Sequence, residues 1–380
     1  MLKSGFVSII FQALIIMACV GDEPQKFQVL RNSIVNDEVI DALCPFGIVK
    51  CKNGDWVTNF QDKGDTTAGS KVYFVRSSDR GKTWSKPFKT VVNESDAVGL
   101  TIQLFTLPNG RNLAIFMAIQ HQDKGPTGFK GYRTSTITIY NCSDDLQTFA
   151  EIQKLASPPQ SLLSVTGNCI IELKNGDLII PGYVYPKGPA VKDAVYGSGF
   201  FRSKDGGKTW GAFELAFKEP DANNKKNFNE STFAVKADGT IVGFTRVDST
   251  KTKNMWKAIS TDNGATWSIP EETNIPAVYP MITRLDNGKY VMICGLLSIK
   301  PARTVSFLVS DDGENYTLAG RAYYSRPEHN NGTSHNTATG GSQAFLKVDK
   351  NKLFVTFYGC DPKLPGRHHT YVDGNLVEIN

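Results

Sequence analysis

The sequence predicts an all-β protein built from repeated sheets, and three observations support this prediction. Glycine is abundant, with 34 residues among 380, and aromatic residues make up 11% of the chain. This composition is typical of short strands joined by tight turns. A turn between two apolar runs recurs six times along the chain. No segment keeps the i, i+3, i+4, i+7 spacing of an amphipathic helix over three turns.

Each repeat is centred on a turn of the Asn-Gly or Asp-Gly kind. The six turns are Asn53-Gly54, Asn109-Gly110, Asn175-Gly176, Asp238-Gly239, Asn287-Gly288 and the degraded Asp349-Lys350-Asn351. Such dipeptides favour type I′ turns, because both central residues then adopt a positive φ. The turns recur roughly every 60 residues, a length that fits one four-stranded sheet. Six such units predict a single-domain, six-bladed β-propeller over residues 27–380.

A second motif, Ser-x-Asp-x-Gly-x-Thr-Trp, recurs inside these units. It is intact at Ser77–Trp84, Ser203–Trp210 and Ser260–Trp267, and degenerate at Cys142–Phe149 and Val309–Tyr316. We expect the Asp, which is Asp144 or Asp311 in the degenerate copies, to accept backbone N–H bonds across a turn. The Gly should be left-handed, and the Trp should pack under the blade. Because the sixth unit lacks the motif, we expect the strand before Leu30 to complete it and close the ring with both chain ends.

These motifs resemble the Asp boxes, or BNR repeats, of the sialidase (neuraminidase) superfamily. The resemblance covers roughly Phe27 to Asn380 and implies a six-bladed propeller with a sugar-binding site at one end of its axis. In that family an arginine cluster grips the carboxylate of sialic acid. A Tyr activated by a Glu attacks the sugar, and an Asp is the acid/base.

The resemblance assigns four residues to such a site. Asp65 precedes the first Asp box and matches the acid/base, with Asp62 as a lesser candidate. Glu230 and Arg246 flank the fourth hairpin, so antiparallel pairing should bring them to the same end of a blade. A purely structural ion pair is the alternative for these two. Arg303 opens the strand before the last Asp box and matches a carboxylate-binding arginine, with a surface arginine as the alternative.

Two positions depart from the family pattern. Gly47 occupies the position of the first arginine, and Ser342 that of the nucleophilic tyrosine. Losing one arginine should weaken carboxylate binding by ~1.5–3 kcal/mol, and without the phenol the sialidase mechanism lacks its covalent step. Asp65 and Glu230 can still act as a carboxyl pair on another sugar.

We therefore predict an exported, sialidase-like glycoside hydrolase that cleaves a terminal sugar, with an acidic sugar favoured. The first alternative is a non-catalytic glycan-binding propeller, which the missing Arg and Tyr support. The second is a structural or protein-binding propeller.

Charge and cysteine content argue against other classes. The formal net charge is +5 without a long basic run, which argues against a nucleic-acid partner. Seven cysteines occur without CxxC or Cys/His spacing, so we expect no metal, and disulfides and buried free thiols both stay open. We expect a glycan as the partner, no cofactor, and a monomer.

The first residues resemble a targeting segment. Lys3 is followed by the apolar stretch Phe6–Val20 and then by polar sequence. This stretch is shorter than the ~20 residues that a membrane span needs, so residues 1–20 predict a signal peptide. Ile16-Met17-Ala18-Cys19 also resembles a lipobox, which leaves open a lipid anchor at Cys19. We expect a secreted or envelope-attached protein.

Overall fold

The computed structural model describes residues 27–36, 38–39, 42–63, 69–92, 98–121, 132–158, 161–166, 170–186, 197–218, 227–248, 253–299, 304–323, 342–360 and 370–380. Within these ranges the regular structure consists of strands alone. The strands are β1 (Phe27–Asn36), β2 (Ile48–Lys50), β3 (Trp56–Gln61), β4 (Lys71–Ser77), β5 (Lys89–Val92), β6 (Val98–Thr106), β7 (Asn112–His121), β8 (Tyr132–Cys142), β9 (Phe149–Leu155), β10 (Ser161–Val165), β11 (Ile171–Glu172), β12 (Leu178–Pro186), β13 (Gly197–Ser203), β14 (Phe213–Lys218), β15 (Asn227–Val235), β16 (Ile241–Asp248), β17 (Asn254–Ser260), β18 (Glu271–Arg284), β19 (Tyr290–Leu296), β20 (Thr304–Ser310), β21 (Thr317–Arg321), β22 (Gln343–Asp349), β23 (Lys352–Cys360) and β24 (Thr370–Ile379).

The sheets are antiparallel, and most strands pair with the strands that precede and follow them in the sequence. Three sheets have four strands, namely β2-β3-β4-β5, β6-β7-β8-β9 and β1-β24-β23-β22. One has five strands, β10-β12-β13-β14 with β11 also on β12, and one has seven, β15 to β21. The all-β, propeller-like prediction is therefore confirmed. The described strands make five sheets, however, and not the six separate blades that the sequence predicted.

The long strand β18 is the reason for this difference. Its first half pairs with β17, for example Lys257 with Glu271, and its second half pairs with β19, for example Arg284 with Tyr290. A break in register between Val278 and Met281 lies in the second half. One continuous strand thus joins two groups of strands into a single sheet.

The two ends of the described chain meet in one sheet, as predicted. β1 contains Leu30 and pairs antiparallel with β24, from Phe27 opposite Ile379 to Asn36 opposite Val372. The sheet that lacks an Asp box is thus completed by the first described strand. This closure joins the first described strand to the last three strands through main-chain hydrogen bonds.

The five Asn-Gly and Asp-Gly turns are not of the predicted type. Only their glycines have a positive φ, between 83° and 95°. In the first turn the Gly54 N–H donates to the Cys51 carbonyl at 3.0 Å, and the Cys51 N–H donates to Asp55 at 2.7 Å. This is a type I turn followed by a left-handed glycine, which closes a hairpin one residue longer than a type I′ turn. The Asn53 side chain accepts the Asp55 N–H at 3.0 Å, so Asn is favoured here by its own hydrogen bond.

The intact Asp boxes have the predicted chemistry. In the first box Asp79 Oδ1 accepts the N–H groups of Lys82 at 3.0 Å and Thr83 at 2.9 Å, and the hydroxyl of Ser77 at 2.8 Å. Gly81 is left-handed, with φ of 77°. Desolvation raises the pKa of Asp79, but the hydrogen bonds outweigh it and hold this pKa well below its usual value.

The two degenerate boxes use a different Asp from the one predicted. Asp145 and Asp312 accept the turn's hydrogen bonds, not Asp144 and Asp311. Each receives the hydroxyl of the Ser two residues earlier at 2.7 Å. The Ser-x-Asp spacing is thus preserved, and each degenerate box begins one residue later than the intact pattern indicates.

The tryptophans of the boxes pack between neighbouring sheets and not under their own sheet alone. The Trp84 ring lies 6.0 Å from Phe354 of β23, and the Trp267 ring lies 5.5 Å from Phe233 of β15 and 6.2 Å from Phe200 of β13. The core therefore consists of layers between sheets. Burial in these layers fixes how one sheet is set against the next.

Arginine side chains add a second link between sheets. Each reaches from one sheet to a backbone carbonyl of a neighbouring sheet's Asp box, in the pairs Arg31 to Arg80, Arg76 to Asp145, Arg111 to Gly207 and Arg202 to Asn263. The boxes are therefore the contact points of adjacent sheets.

Cys51 and Cys294 are buried free thiols, so the free-thiol alternative is confirmed for these two. Cys44 and Cys142 are buried as well. The described part of the chain contains no helix that is long and apolar enough to cross a bilayer.

Candidate functional site

Side chains link strands of neighbouring sheets, and the two strand groups of the seven-stranded sheet, in a ring around a common centre. The linking hydrogen bonds run from Asn59 to the Ile102 carbonyl at 2.7 Å, Gln103 to Val165 at 2.8 Å, Thr166 to Ser231 at 3.2 Å, the Ile282 N–H to the Thr232 hydroxyl at 3.1 Å, and Gln343 to Tyr279 at 2.7 Å. Residues far apart in sequence therefore meet near one axis.

A cavity of about 30 Å³ lies where these strands converge. We call it the axial cavity. Its lining includes Phe46, Gln103, Tyr183, Glu230, Tyr279 and Ser342. The carboxylate of Glu230 and several neutral hydrogen-bonding groups therefore share one small space.

A larger cavity, of about 310 Å³, lies between β17, β18 and the turn after β20. Its charged groups already have partners, since Lys257 lies 3.1 Å from Glu271 and 3.6 Å from Glu314, and Glu272 accepts from the Asn254 amide at 2.9 Å. None of the predicted site residues lines it. Size alone does not make it the better candidate, because the residues with suitable chemistry converge elsewhere.

Glu230 is fixed at the axial cavity by the backbone and by two hydrogen bonds. It sits in a break of register between Asn229 and Ser231 of β15, with φ of 39°. Oε1 accepts from Nη1 of Arg246 at 2.8 Å, and Oε2 accepts the N–H of Tyr279 at 2.9 Å. The structure thus brings Glu230 and Arg246 together, as the hairpin predicted, and shows the ion pair that was the alternative interpretation.

Tyr279 is a cavity residue that the sequence analysis missed. It lies in the register break of β18, with φ of 49°, and its ring is 5.9 Å from that of Phe46. Its carbonyl accepts the Gln343 side-chain amide. The signal that could have found it is Pro280, because proline inside a long buried strand demands a bulge.

Both residues carry backbone strain. A positive φ in a residue other than glycine costs about 1–3 kcal/mol, and such strain clusters at functional sites. Glu230 and Tyr279 are strained, touch each other and line the same cavity. These left-handed backbone conformations turn the Glu230 side chain and the Tyr279 amide toward each other at the axial cavity.

The structure explains why an arginine is absent at Gly47. A Cβ atom there would lie 2.5 Å from the Cβ and the backbone nitrogen of Leu104, so no side chain fits. Ser342, the position expected for tyrosine, does line the axial cavity. Two phenols, those of Tyr183 and Tyr279, line the same cavity, and they come from β12 and β18 and not from the segment before β22.

The other predicted site residues divide into two groups. Asp65 and Arg303 lie outside the described residues. Asp62 accepts the Lys71 N–H at 2.8 Å, so its carboxylate supports the start of β4 and lies away from the axial cavity. Within the described ranges there is no cluster of His, Cys, Asp and Glu side chains that could hold a metal ion.

Fold and site together define a class: an all-β, propeller-like protein with a half-buried carboxylate at the axial cavity. The model of the BNR repeat-like domain family matches residues 104–322. The chain therefore belongs to the BNR repeat-like family, as the Asp boxes indicated.

Solved structures share the fold across nearly the whole chain. A Dyadobacter fermentans protein of unknown function is 18% identical, with a TM-score of 0.67, over 93% of this chain and 99% of that one. A Penicillium chrysogenum α-L-arabinanase complexed with arabinobiose is 17% identical, with a TM-score of 0.63, over 92% and 98%. A Hadza microbial sialidase is 15% identical, with a TM-score of 0.61, over 89% and 66%. The predicted similarity to the sialidase superfamily is confirmed at the level of the fold. No curated protein sequence matches the chain.

Proposed function

We propose that the chain is a glycoside hydrolase that removes a terminal sugar from a glycan, with Glu230 at the reaction centre. The observation that carries this proposal is the carboxylate of Glu230, held by Arg246 and the Tyr279 N–H at the mouth of the axial cavity. Glycosidic bonds are cleaved by carboxyl groups held in fixed positions. The fold shared with an arabinanase and a sialidase supports the same class of reaction.

Under this proposal Glu230 is the nucleophile or the carboxylate that activates one, and Asp65 is the general acid/base. Arg246 and Arg303 hold an anionic group, so an acidic sugar is favoured. The Arg246 bond to Oε1 orients the carboxylate of Glu230, which suits either role of this side chain.

We also propose that the seven-stranded sheet counts as two blades, which restores the six-bladed ring. β18 takes part in two separate pairings, and its second half contacts β15 on one side and β22 on the other through side-chain bonds. It therefore occupies the innermost place of a blade of its own.

Export directed by residues 1–20, with a lipid anchor at Cys19 as the alternative to a free secreted protein, belongs to the same proposal. Mass spectrometry of the mature N-terminus tests it.

The test of the function is turnover of fluorogenic glycosides by purified protein. The panel contains an α-sialoside, an α-L-arabinofuranoside and neutral hexosides. Glu230→Gln should lower kcat/KM on the best substrate by about 10³-fold, and Asp65→Asn by about 10²-fold or more. Glu314→Gln is the matched control, because Glu314 is also a half-buried carboxylate, paired with Lys236 at 2.7 Å, but lies away from the axial cavity. Full turnover by Glu230→Gln would exclude the proposed role.

A non-catalytic glycan-binding propeller is the second candidate. The observations that favour it are the crowding at Gly47, which leaves no room for an arginine, and the serine at position 342. Binding of a glycoside without turnover, unchanged in Glu230→Gln, would decide for this alternative.

A further inference from the structure

The axial cavity contains a buried acceptor with no donor. Gln103 lies on β6 with 2% of its surface exposed, and its Nε2 donates to the Val165 carbonyl at 2.8 Å. Among the described residues, no donor bonds its Oε1 atom. Leaving a buried carbonyl oxygen without a donor is unfavourable, so a ligand that supplies a donor here gains affinity.

An unsatisfied amide oxygen is not by itself a sign of a ligand in this protein. Asn59, Gln61 and Gln343 also bridge neighbouring sheets and also have side-chain oxygens without a donor in the described residues. Only Gln103 of these four lines the axial cavity, which Glu230 shares. The acceptor and the proposed reaction centre therefore face the same ligand.

The size of the cavity limits what can reach Gln103. A single water molecule needs roughly 10–15 Å³ in a cavity, and the axial cavity provides about 30 Å³. This volume accepts a hydroxymethyl group, while a sugar ring must stay above it, beside Glu230. Met117, Val165 and Phe46 give the cavity apolar walls, which suit the carbon of such a group.

We propose that Gln103 Oε1 accepts a hydrogen bond from the terminal hydroxymethyl group of the bound sugar. This inference rests on the proposed function, because it assigns the sugar to the same cavity. Gln103 is then a specificity-determining residue that selects sugars with a primary hydroxyl over their deoxy counterparts.

The test measures binding, not turnover, with three pairs of methyl glycosides. The pairs are those of L-arabinofuranose, D-galactopyranose and N-acetylneuraminic acid, each with the analogue that lacks only the terminal primary hydroxyl. Titration calorimetry on wild type should show, for at least one pair, that the hydroxylated sugar binds about tenfold more tightly. Gln103→Met should remove this preference by weakening only the hydroxylated sugar.

Gln61→Met is the matched control, because Gln61 is an equally buried bridging amide that does not line the cavity. It should keep the preference, and so should Glu230→Gln, even where turnover is lost. Loss of turnover in Glu230→Gln without any hydroxyl preference in wild type would overturn this inference alone. If wild type prefers the hydroxylated sugar but turns over no glycoside, the proposed hydrolase function is overturned and this inference stands.

Two further results would overturn the inference: no binding of any of the six glycosides to wild type, or an unchanged preference in Gln103→Met. If Gln103→Met does not fold, NMR of wild type replaces it. The side-chain amide signal of Gln103 should then shift with the hydroxylated sugar and not with its deoxy analogue.

Discussion

Arg202 provides the sharpest test of how neighbouring sheets are joined. Its guanidinium donates to both carboxylate oxygens of Glu214 at 2.9–3.2 Å, to Asp177 at 3.0 Å and to the Asn263 carbonyl of the next Asp box at 2.9 Å. The side chains of Arg202, Asp177 and Glu214 are 8%, 14% and 39% exposed. We expect Arg202→Met to destabilise the fold severely.

The magnitude follows from the groups that this substitution leaves behind. Removing one partner of a buried ion pair costs about 3–5 kcal/mol, because the remaining charge is uncompensated. Asp177 is half-buried, loses its cationic partner and keeps the Asn175 amide at 3.0 Å, whereas Glu214 is exposed enough for water to screen it. We therefore expect a loss of about 3 kcal/mol, at the lower end of that range.

Urea unfolding at pH 7, followed by tryptophan fluorescence, measures this loss. Lys52→Met is the control, because the Lys52–Asp144 pair is exposed and should contribute about 0.5 kcal/mol or less. The triple variant Arg202→Met, Asp177→Leu, Glu214→Leu should regain much of the stability, since it leaves no unpaired charge. A loss under about 1 kcal/mol in Arg202→Met would refute the reasoning.

Three further predictions concern single positions. Gly47→Ala should lower the free energy of unfolding by about 1–3 kcal/mol in urea melts, because its Cβ meets Leu104 at 2.5 Å; Gly211→Ala, whose nearest contact is 3.5 Å, should change it little. The hydroxyl and amide of Thr266, followed by Ser260, lower the pKa of Asp262 to about 2. An Asp in the unfolded chain titrates near ~3.9. The contribution of Asp262 to the stability of the fold is therefore fully present above that pH and is lost as the pH falls through about 2. An NMR titration midpoint of Asp262 near the unfolded value would contradict this. Burial raises the pKa of Cys294 to about 12, so peptide mapping should find it unmodified by iodoacetamide at pH 8 in the folded protein and modified in urea.

The sequence predicted the repeat architecture because its signals are local. Turn glycines and the Ser-x-Asp-x-Gly-x-Thr-Trp motif depend on hydrogen bonds within a few residues, as Asp79 and Gly81 show. The joining of two strand groups through β18 was not predictable in this way. It depends on how Val278 to Met281 pair across the sheet, which is a property of the assembled fold.

The site was predicted only in part for the same reason. Glu230 and Arg246 were predicted correctly because they flank one hairpin turn, and antiparallel pairing of β15 with β16 across that turn brings them together. Gln103 reaches the axial cavity from another sheet, and Tyr279 from β18, three strands away from β15 in the same sheet. Pro280 indicates a bulge near Tyr279, but no local pattern shows that either residue lines this cavity. The positive φ of Tyr279 is likewise imposed by packing, against the residue's own preference.

A crystal structure of the Glu230→Gln variant with its best glycoside tests the central claim most directly. We expect the sugar over the axial cavity, with the glycosidic carbon about 3–3.5 Å from the side chain of residue 230 or from a nucleophile that this side chain contacts. The Arg246 guanidinium should still contact that side chain. A sugar bound outside the axis, or one whose glycosidic bond lies beyond reach of residue 230, would contradict the account.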